Sequence, residues 1–391
     1  MKREYTYSLK SLLYYVALII YISYTLWENT LFTADTDLST PRFIVFFAVV
    51  ALLSIKFLID KNYKHIVAFL FIMALFIWVG LNVTNVRELI LIIFFMFEAR
   101  NVDLNKAFRI YARILLIGSL ITVTASLFGL IGQQITSSGR HFLGFTWTTY
   151  APNILMTILM AWAYIHKKNR NTMFTLSVLI LIDIFYFFAT KTKASCIENI
   201  LLLVMTALYD SKILKIPQNR FLKFIIMFIF PIMFGITMLF TFYYPKVGWL
   251  QQFNSMFLNN RLNYNLVAFT KYPVNMFGNL MSWNMSESNG IGYFYVDSSY
   301  VQILLQYGVV VFVFILAIFT LLMREYIKNN DTMGVICLSI IALHSITDPQ
   351  LFILMYNPFL LSAGKIIFKG FKKHKQIRTY QSVVDEGVNL S

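Results

Sequence analysis

The stretch that decides the fold is residues 300–323, with the sequence YVQILLQYGVVVFVFILAIFTLLM. It contains no charged residue and is long enough to cross the hydrocarbon core of a bilayer, which takes about 20 residues of helix. Asp297, Ser298 and Ser299 stand directly before it. Because a charged side chain at the mouth of a membrane helix is costly, its presence there invites a functional explanation.

The rest of the chain has the same apolar character. Of its 391 residues 58% are hydrophobic and 13% are charged, and the mean hydropathy is +0.67, which is too apolar for a soluble domain. We predict an all-α integral membrane protein with about twelve spans, built as one domain over residues 1–368 and followed by a cytoplasmic tail, residues 369–391. The predicted spans are residues 9–27, 42–59, 65–81, 87–98, 110–131, 146–165, 173–189, 196–209, 222–243, 300–323, 333–347 and 350–368.

Basic residues indicate the orientation of these spans. With the amino terminus inside, 25 of the 33 lysines and arginines fall on the inner side, so both termini are predicted to be cytoplasmic. The net charge of +15 is spread over many short loops, which argues against nucleic-acid binding. Cys196 and Cys337 both fall within predicted spans, and the sequence shows no disulfide framework, metal motif or nucleotide motif. We therefore expect no metal and no cofactor.

One connection is much longer than the others. This outer segment, residues 244–296, lies between the ninth and tenth predicted spans, and loops of such length in compact proteins are usually functional or disordered. Trp249, Leu250, Phe253 and Met256 recur at helical spacing, which predicts an amphipathic helix near the outer membrane surface. The outer segment is therefore expected to be ordered.

Eight basic residues remain on the predicted outer side, against the general bias. Four of them, Arg140, Lys191, Lys193 and Arg261, lie in three separate outer loops. If these loops converge, they form a cationic pocket that suits a phosphate or diphosphate, since guanidinium groups grip phosphate oxygens in pairs and lysine adds a point charge. The alternative is that each cation contacts lipid headgroups by itself.

Candidate proton acceptors lie on the same side. Asp297 is the strongest candidate for a general base, because a carboxylate beside a cationic site can take a proton from an acceptor hydroxyl. The alternative is that Asp297 or Ser298 caps the helix that follows. His141 is a rival base. His344 and Asp348 are four residues apart, so we expect them to share a helical face and form a hydrogen-bonded pair that orients neighbouring helices.

Four short segments occur in an order that is typical of one family of membrane enzymes. They are Gly139-Arg140 to Gly144-Phe145 with Pro152-Asn153, then Thr190-Lys191-Thr192-Lys193, then Arg261-Leu262 with Ala268, Pro273 and Gly278, and finally Asp297-Ser298-Ser299-Tyr300 with Gln306-Tyr307-Gly308. In these segments the chain resembles the Wzy-type O-antigen and capsular polysaccharide polymerases, which belong to the O-antigen polymerase and ligase superfamily.

The resemblance implies a GT-C-like glycosyltransferase of the bacterial cytoplasmic membrane with its active site on the external face. Such an enzyme moves the growing glycan from undecaprenyl diphosphate to the non-reducing-end sugar of an incoming lipid-linked repeat unit. Arg261 and Asp297 would be catalytic. Arg140, Lys191 and Lys193 would bind the diphosphate together with Arg261.

The resemblance also implies partners, namely the bilayer, a flippase and a chain-length regulator. Tyr300, His141, His344 and Asp348 are further candidates for the site. Two other functions stay open, a glycan ligase of the same superfamily and a lipid-linked oligosaccharide flippase or exporter, for which a cavity between symmetric halves would be expected.

Overall fold

A computed structural model describes residues 9–61, 63, 65–83, 86–136, 138–167, 172–284 and 294–369. Within these ranges the chain is helical and forms three isolated β-bridges but no β-strand. The predicted class, a helical membrane protein, is confirmed. Apart from Lys369, the predicted cytoplasmic tail lies outside the described residues.

Eight helices lie in the first half of the described chain and eight in the second. The first eight are α1 (Leu9–Glu28), α2 (Ser39–Asp60), α3 (Ile66–Val83), α4 (Val86–Glu98), α5 (Leu104–Leu127), α6 (Tyr150–Ile165), α7 (Thr172–Thr190) and α8 (Lys193–Asp210). The second eight are α9 (Arg220–Met227), α10 (Ile229–Tyr243), α11 (Gly248–Met256), α12 (Arg261–Lys271), α13 (Ser299–Gln306), α14 (Gly308–Lys328), α15 (Thr332–His344) and α16 (Phe359–Lys369). Asp103, Asn219 and Asp331 cap α5, α9 and α15 by accepting hydrogen bonds from main-chain N–H groups.

Only some of these helices can cross a membrane unaided. Within the described ranges, α1, α2, α3, α5 and α14 are long and apolar enough, and α9 and α10 would form a sixth span together although they meet at 64°. Others are short; α15 has 13 residues and is therefore about 20 Å long. Each of the twelve predicted spans coincides with at least one helix, but the number that crosses the membrane stays a prediction.

Three predicted spans are interrupted, and one of them, residues 222–243, is bent between α9 and α10. The span predicted at residues 300–323 is split between α13 and α14, where Gly308 has a φ of 86°. A β-carbon on Gly308 would lie 2.4 Å from the main-chain nitrogen of Gly278, so only glycine lets the outer segment approach this break. The span predicted at residues 350–368 is helical only from Phe359 onwards. The helix is therefore interrupted at three places where continuous helix was predicted.

The chain between α15 and α16 is irregular yet largely buried, and we call residues 345–358 the buried loop. Prolines follow Asp348 and Asn357, and a residue before proline avoids the helical conformation, which explains the interruption. Non-helical chain at membrane depth is tolerated where surrounding protein satisfies it. Two hydroxyl groups hold this loop. The Ser299 hydroxyl donates to the carbonyl of Asp348 at 2.5 Å, and the Tyr111 hydroxyl donates to the carbonyl of Leu354 at 3.1 Å.

The described part of the outer segment folds against the membrane helices. The predicted amphipathic helix is confirmed as α11, and α12 follows it. Beyond α12 the chain turns at Gly278, whose φ is 89°, and the Asn279 main-chain N–H donates to the carbonyl of Gln306 at 3.2 Å. The outer segment is thereby held at the break between α13 and α14, and this contact positions the candidate site.

Candidate functional site

The centre of the candidate site is an ion pair between the outer segment and the chain before α13. Asn259 and Asn260 adopt left-handed conformations with φ of 48° and 63°, and this turn starts α12 at Arg261. Arg261 Nε donates to Asp297 Oδ2 at 3.0 Å. Arg261 is 8% exposed, whereas the Asp297 side chain is 18% exposed, so the carboxylate is the more accessible member of the pair.

The Asp297 side chain contacts Arg261 and does not occupy the N-cap position of α13. The N-cap residue of α13 is Ser298, whose side chain makes no capping hydrogen bond, while the Asp297 carboxylate faces Arg261. Burial raises the pKa of Asp297 above its ordinary value, although the charges of Arg261 and Arg140 oppose that shift. A carboxylate with a raised pKa holds a proton more readily than an ordinary aspartate, which suits a general base.

A second carboxylate, Asp348 of the buried loop, lies beside Arg261. Asp348 Oδ2 is 3.8 Å from Arg261 Nη2, and its Oδ1 accepts a hydrogen bond from Asn153 Nδ2 at 3.1 Å. Asn153, on α6, accepts in turn from the Ser195 hydroxyl in the first turn of α8 at 2.5 Å. Polar contacts therefore join α12, the buried loop, α6 and α8, and we call Arg261, Asp297 and Asp348 the outer cluster.

The structure contradicts the predicted pair of His344 and Asp348. Helix α15 ends at His344, and although the Asp348 main-chain N–H donates to the His344 carbonyl at 2.9 Å, the two side chains have different partners. His344 Nδ1 is 2.6 Å from Glu198 Oε2, and His344 Nε2 is 3.0 Å from Gln350 Oε1. Glu198 follows Ser195 by one turn on α8, so this second buried pair flanks the outer cluster.

The three loops that carry the predicted phosphate-binding cations meet in the structure. Arg140 Nε donates to the carbonyl of Thr190 at 2.8 Å, and Lys191 Nζ donates to the carbonyl of Ser138 at 2.7 Å. Lys193 Nζ donates to the last carbonyl of α11 at 2.9 Å. These bonds tie the loop before α6 to the α7–α8 turn, and that turn to the outer segment.

Two local features shape this cationic region. Gly139 has a φ of 72°, and a β-carbon there would lie 3.1 Å from Lys191 Nζ, so glycine lets the lysine amine reach its loop. Helix α8 begins at Lys193, and its N-cap Thr192 makes no side-chain capping bond. The positive end of the α8 dipole therefore lies among the same cations, and such helix ends attract anions.

His141 and Tyr300 make hydrogen bonds that connect the segments around the site. The main-chain N–H of His141, an exposed residue, donates to the carbonyl of Ala189 at 2.9 Å. Tyr300 is fully buried, and its hydroxyl donates to the carbonyl of Ala342 at 2.9 Å. His141 thus links the loop before α6 to α7, and Tyr300 links α13 to α15.

Sequence reasoning missed a buried polar group between α7 and α8. Asp183 of α7 is fully buried, and its two carboxylate oxygens accept from Asn199 Nδ2 at 2.7 Å and Cys196 Sγ at 3.0 Å. A single carboxylate within the apolar run of a predicted span was the available signal. Asn153 and Ser195 were also without a predicted role, because their partners are distant in sequence.

Within the described ranges, no group of three or more His, Cys, Asp or Glu side chains is placed to hold a metal ion. Comparison with protein-family models, with curated proteins and with solved structures found no match to this chain. The resemblance to polysaccharide polymerases therefore rests on the residues of this chain alone.

Proposed function

We propose that the protein polymerises lipid-linked oligosaccharide repeat units at the outer face of the bacterial cytoplasmic membrane. The observation that carries the proposal is the contact of Arg261 with Asp297, beside the loops of Arg140, Lys191 and Lys193. A proton acceptor with a raised pKa next to concentrated positive charge suits the transfer of a sugar from a lipid diphosphate to a hydroxyl group.

In the proposed reaction, a hydroxyl oxygen of the acceptor sugar forms a bond to the anomeric carbon of the growing glycan. The bond from that carbon to the diphosphate oxygen breaks, and undecaprenyl diphosphate leaves with the electron pair. Asp297 takes the proton of the attacking hydroxyl, and Arg261 orients the carboxylate. Arg140, Lys191, Lys193 and the amino terminus of α8 stabilise the negative charge that develops on the leaving diphosphate.

The proposed topology has twelve spans in a GT-C-like arrangement, with both termini in the cytoplasm. It is supported by the ion pairs, because each of the eight within the described residues joins two groups assigned to the same side. The inner pairs are Lys10–Asp60, Lys56–Asp60, Lys56–Glu98 and Lys167–Asp331, and the outer pairs are Arg42–Glu28, Arg261–Asp297, Arg261–Asp348 and His344–Glu198. In the cell, a flippase would supply the lipid-linked units and a chain-length regulator would act on the product.

A carrier is the second candidate function, and two observations favour it. Asp183 is buried with Asn199 inside the helix bundle, and the α9–α10 pair is sharply bent. Buried carboxylates and broken helices are common along transport pathways. A ligase of the same superfamily would use the same chemistry as the polymerase and differ only in its acceptor.

One assay separates the three functions. The full-length protein is purified into liposomes and given a repeat unit on polyprenyl diphosphate together with a second glycan acceptor that carries no diphosphate, with protein-free liposomes as the control. The proposal predicts a ladder of products that differ by one repeat unit. Transfer of glycan to a different acceptor without a ladder would indicate a ligase. Movement of the lipid across the bilayer with no new glycosidic bond would indicate a carrier.

A further inference from the structure

A cavity of about 230 Å³ lies beside the outer cluster, between the start of α4, helix α13 and the buried loop. Two of its lining residues are close in the chain to the outer cluster, since Tyr295 precedes Asp297 by two residues and Pro349 directly follows Asp348. The cavity is smaller than the roughly 300–1,000 Å³ of pockets for drug-sized ligands, so it suits one sugar ring and not a whole oligosaccharide.

Aromatic rings form one wall of this cavity. Trp283 and Tyr295 both line it, with ring centroids 5.0 Å apart and ring planes inclined by 56°. The Tyr295 hydroxyl accepts a hydrogen bond from Gln302 Nε2 at 3.3 Å, which fixes the ring from the α13 side. Aromatic faces are apolar but electron-rich, and they attract the weakly positive C–H groups of a sugar ring.

Three polar side chains stand among apolar residues in the rest of the lining, which also includes Leu89, Ile92, Ile303, Tyr307, Phe352 and Ile353. Gln302 and Gln306 are one turn apart on α13 and both reach the cavity, and Glu88 enters from α4. An amide offers a donor and an acceptor, and a carboxylate offers two acceptors, so this set matches the mixed donors and acceptors of neighbouring sugar hydroxyls. Aromatic rings that pack against a sugar ring, together with amides that bond its hydroxyl groups, are the features that bind a carbohydrate.

The charge of the lining decides which end of a lipid-linked sugar it suits. Glu88 is the one charged residue among those that line the cavity, and lysine and arginine are absent from that set. A diphosphate would be repelled there, and none of the cations Arg140, Lys191 and Lys193 lines the cavity. The cavity therefore suits an uncharged sugar that brings a hydroxyl towards Asp297.

We propose that this cavity, lined by Glu88, Trp283, Tyr295, Gln302 and Gln306, binds a terminal sugar of the acceptor repeat unit. The assignment to the acceptor rests on the proposed function, because it takes Asp297 as the base that deprotonates the sugar hydroxyl. The carbohydrate specificity of the cavity does not depend on that reaction. Binding and turnover can therefore be tested separately.

The experiment measures binding of the free oligosaccharide, released by mild acid from the lipid-linked repeat unit, to the full-length protein in lipid nanodiscs by saturation-transfer NMR and calorimetry. Trp283→Ala and Gln306→Leu are compared with two controls of the same residue types on α11, Trp249→Ala and Gln252→Leu, which lie outside the cavity. Each cavity variant removes a ring platform or a hydrogen-bonding amide, and we expect affinity to fall about tenfold.

The expected result is weaker binding in the cavity variants, wild-type binding in the α11 variants, and unchanged melting temperatures in all four. If Gln306→Leu does not fold, Gln302→Leu replaces it. Equal binding by wild type and every folded cavity variant would overturn the proposal, as would a wild-type protein that polymerises yet binds no free oligosaccharide. Binding that depends on the cavity in a protein without transfer activity would support the sugar site while refuting the proposed polymerase.

Discussion

Two groups of charged residues lie at opposite predicted ends of the helix bundle, and they are built differently. At the inner end, Lys56 is 1% exposed and contacts Glu98, which is fully buried, and Asp60 at 2.7 Å. Lys10 reaches the same Asp60 at 3.4 Å. These four residues, the inner cluster, all project from regular helices, namely α1, α2 and α4.

The outer cluster has the opposite character. Arg261 follows a left-handed turn, Asp297 precedes α13, and Asp348 lies in the buried loop. Two carboxylates share one guanidinium in the outer cluster. Each cluster contains one buried carboxylate oxygen without a hydrogen-bond partner, Asp348 Oδ2 in the outer and Glu98 Oε1 in the inner. What distinguishes the outer cluster is therefore its irregular chain, which costs stability and is retained mainly where function requires it. The inner cluster, whose cations and carboxylates balance on helices, is accordingly interpreted as structural.

If the outer cluster is functional and the inner cluster structural, the largest loss of transfer activity is expected for Asp297→Asn. Asparagine keeps the shape of the side chain but cannot take a proton at neutral pH, so transfer activity should fall about 10²–10⁴-fold, the usual worth of a positioned base. Expression and melting temperature should stay at wild-type values. The matched control is Asp35→Asn, at an exposed aspartate on the predicted outer side, which should remain fully active.

In the inner cluster, Lys56→Met should lower the stability of the folded protein without removing a group that takes part in the proposed reaction. Removing the lysine leaves Glu98 and Asp60 buried without their shared cation, which typically costs about 3–5 kcal/mol. Thermal melting of the purified protein measures this loss. The exposed Lys328→Met variant serves as the control, and an undamaged melting temperature in Lys56→Met would remove the structural interpretation of the inner cluster.

A smaller effect on activity is expected for Arg261→Lys. Lysine keeps the charge but loses the planar fork that can hold two partners at once, and the loss of one charge-assisted hydrogen bond corresponds to about 10–100-fold in rate. Arg42→Lys is a close control, because Arg42 also pairs with a carboxylate, Glu28, on the predicted outer side. Equal product formation by the two variants at equal expression would count against a special role for Arg261.

The smallest expected effect is the change of wild-type activity with pH. Burial raises the pKa of Asp297 above the value of about 4 that is ordinary for aspartate, and the base acts only when deprotonated. Activity should therefore rise with pH through a midpoint above 4 and then level off. The residual activity of Asp297→Asn should lack this acidic limb. An acidic limb of the same midpoint in that variant would assign the titration to another group.

The sequence predicts the class of fold well because apolar runs and basic asymmetry are local features. It also indicates Arg261 and Asp297, since charge on the predicted outer side is sparse. The breaks at Gly308 and in the buried loop were missed, although glycine and the two prolines that follow Asp348 and Asn357 were visible signals. The partnership of Asn153 with Asp348 could not be predicted, because it joins residues almost two hundred positions apart through tertiary packing.

The central claim is that the outer cluster transfers a glycan and releases a lipid diphosphate. The most direct test supplies wild-type protein in liposomes with a labelled polyprenyl-diphosphate repeat unit and counts both products. The account predicts one polyprenyl diphosphate released for each new glycosidic bond, with both products lost together in Asp297→Asn. New bonds without diphosphate release, or lipid movement across the bilayer with neither product, would contradict it.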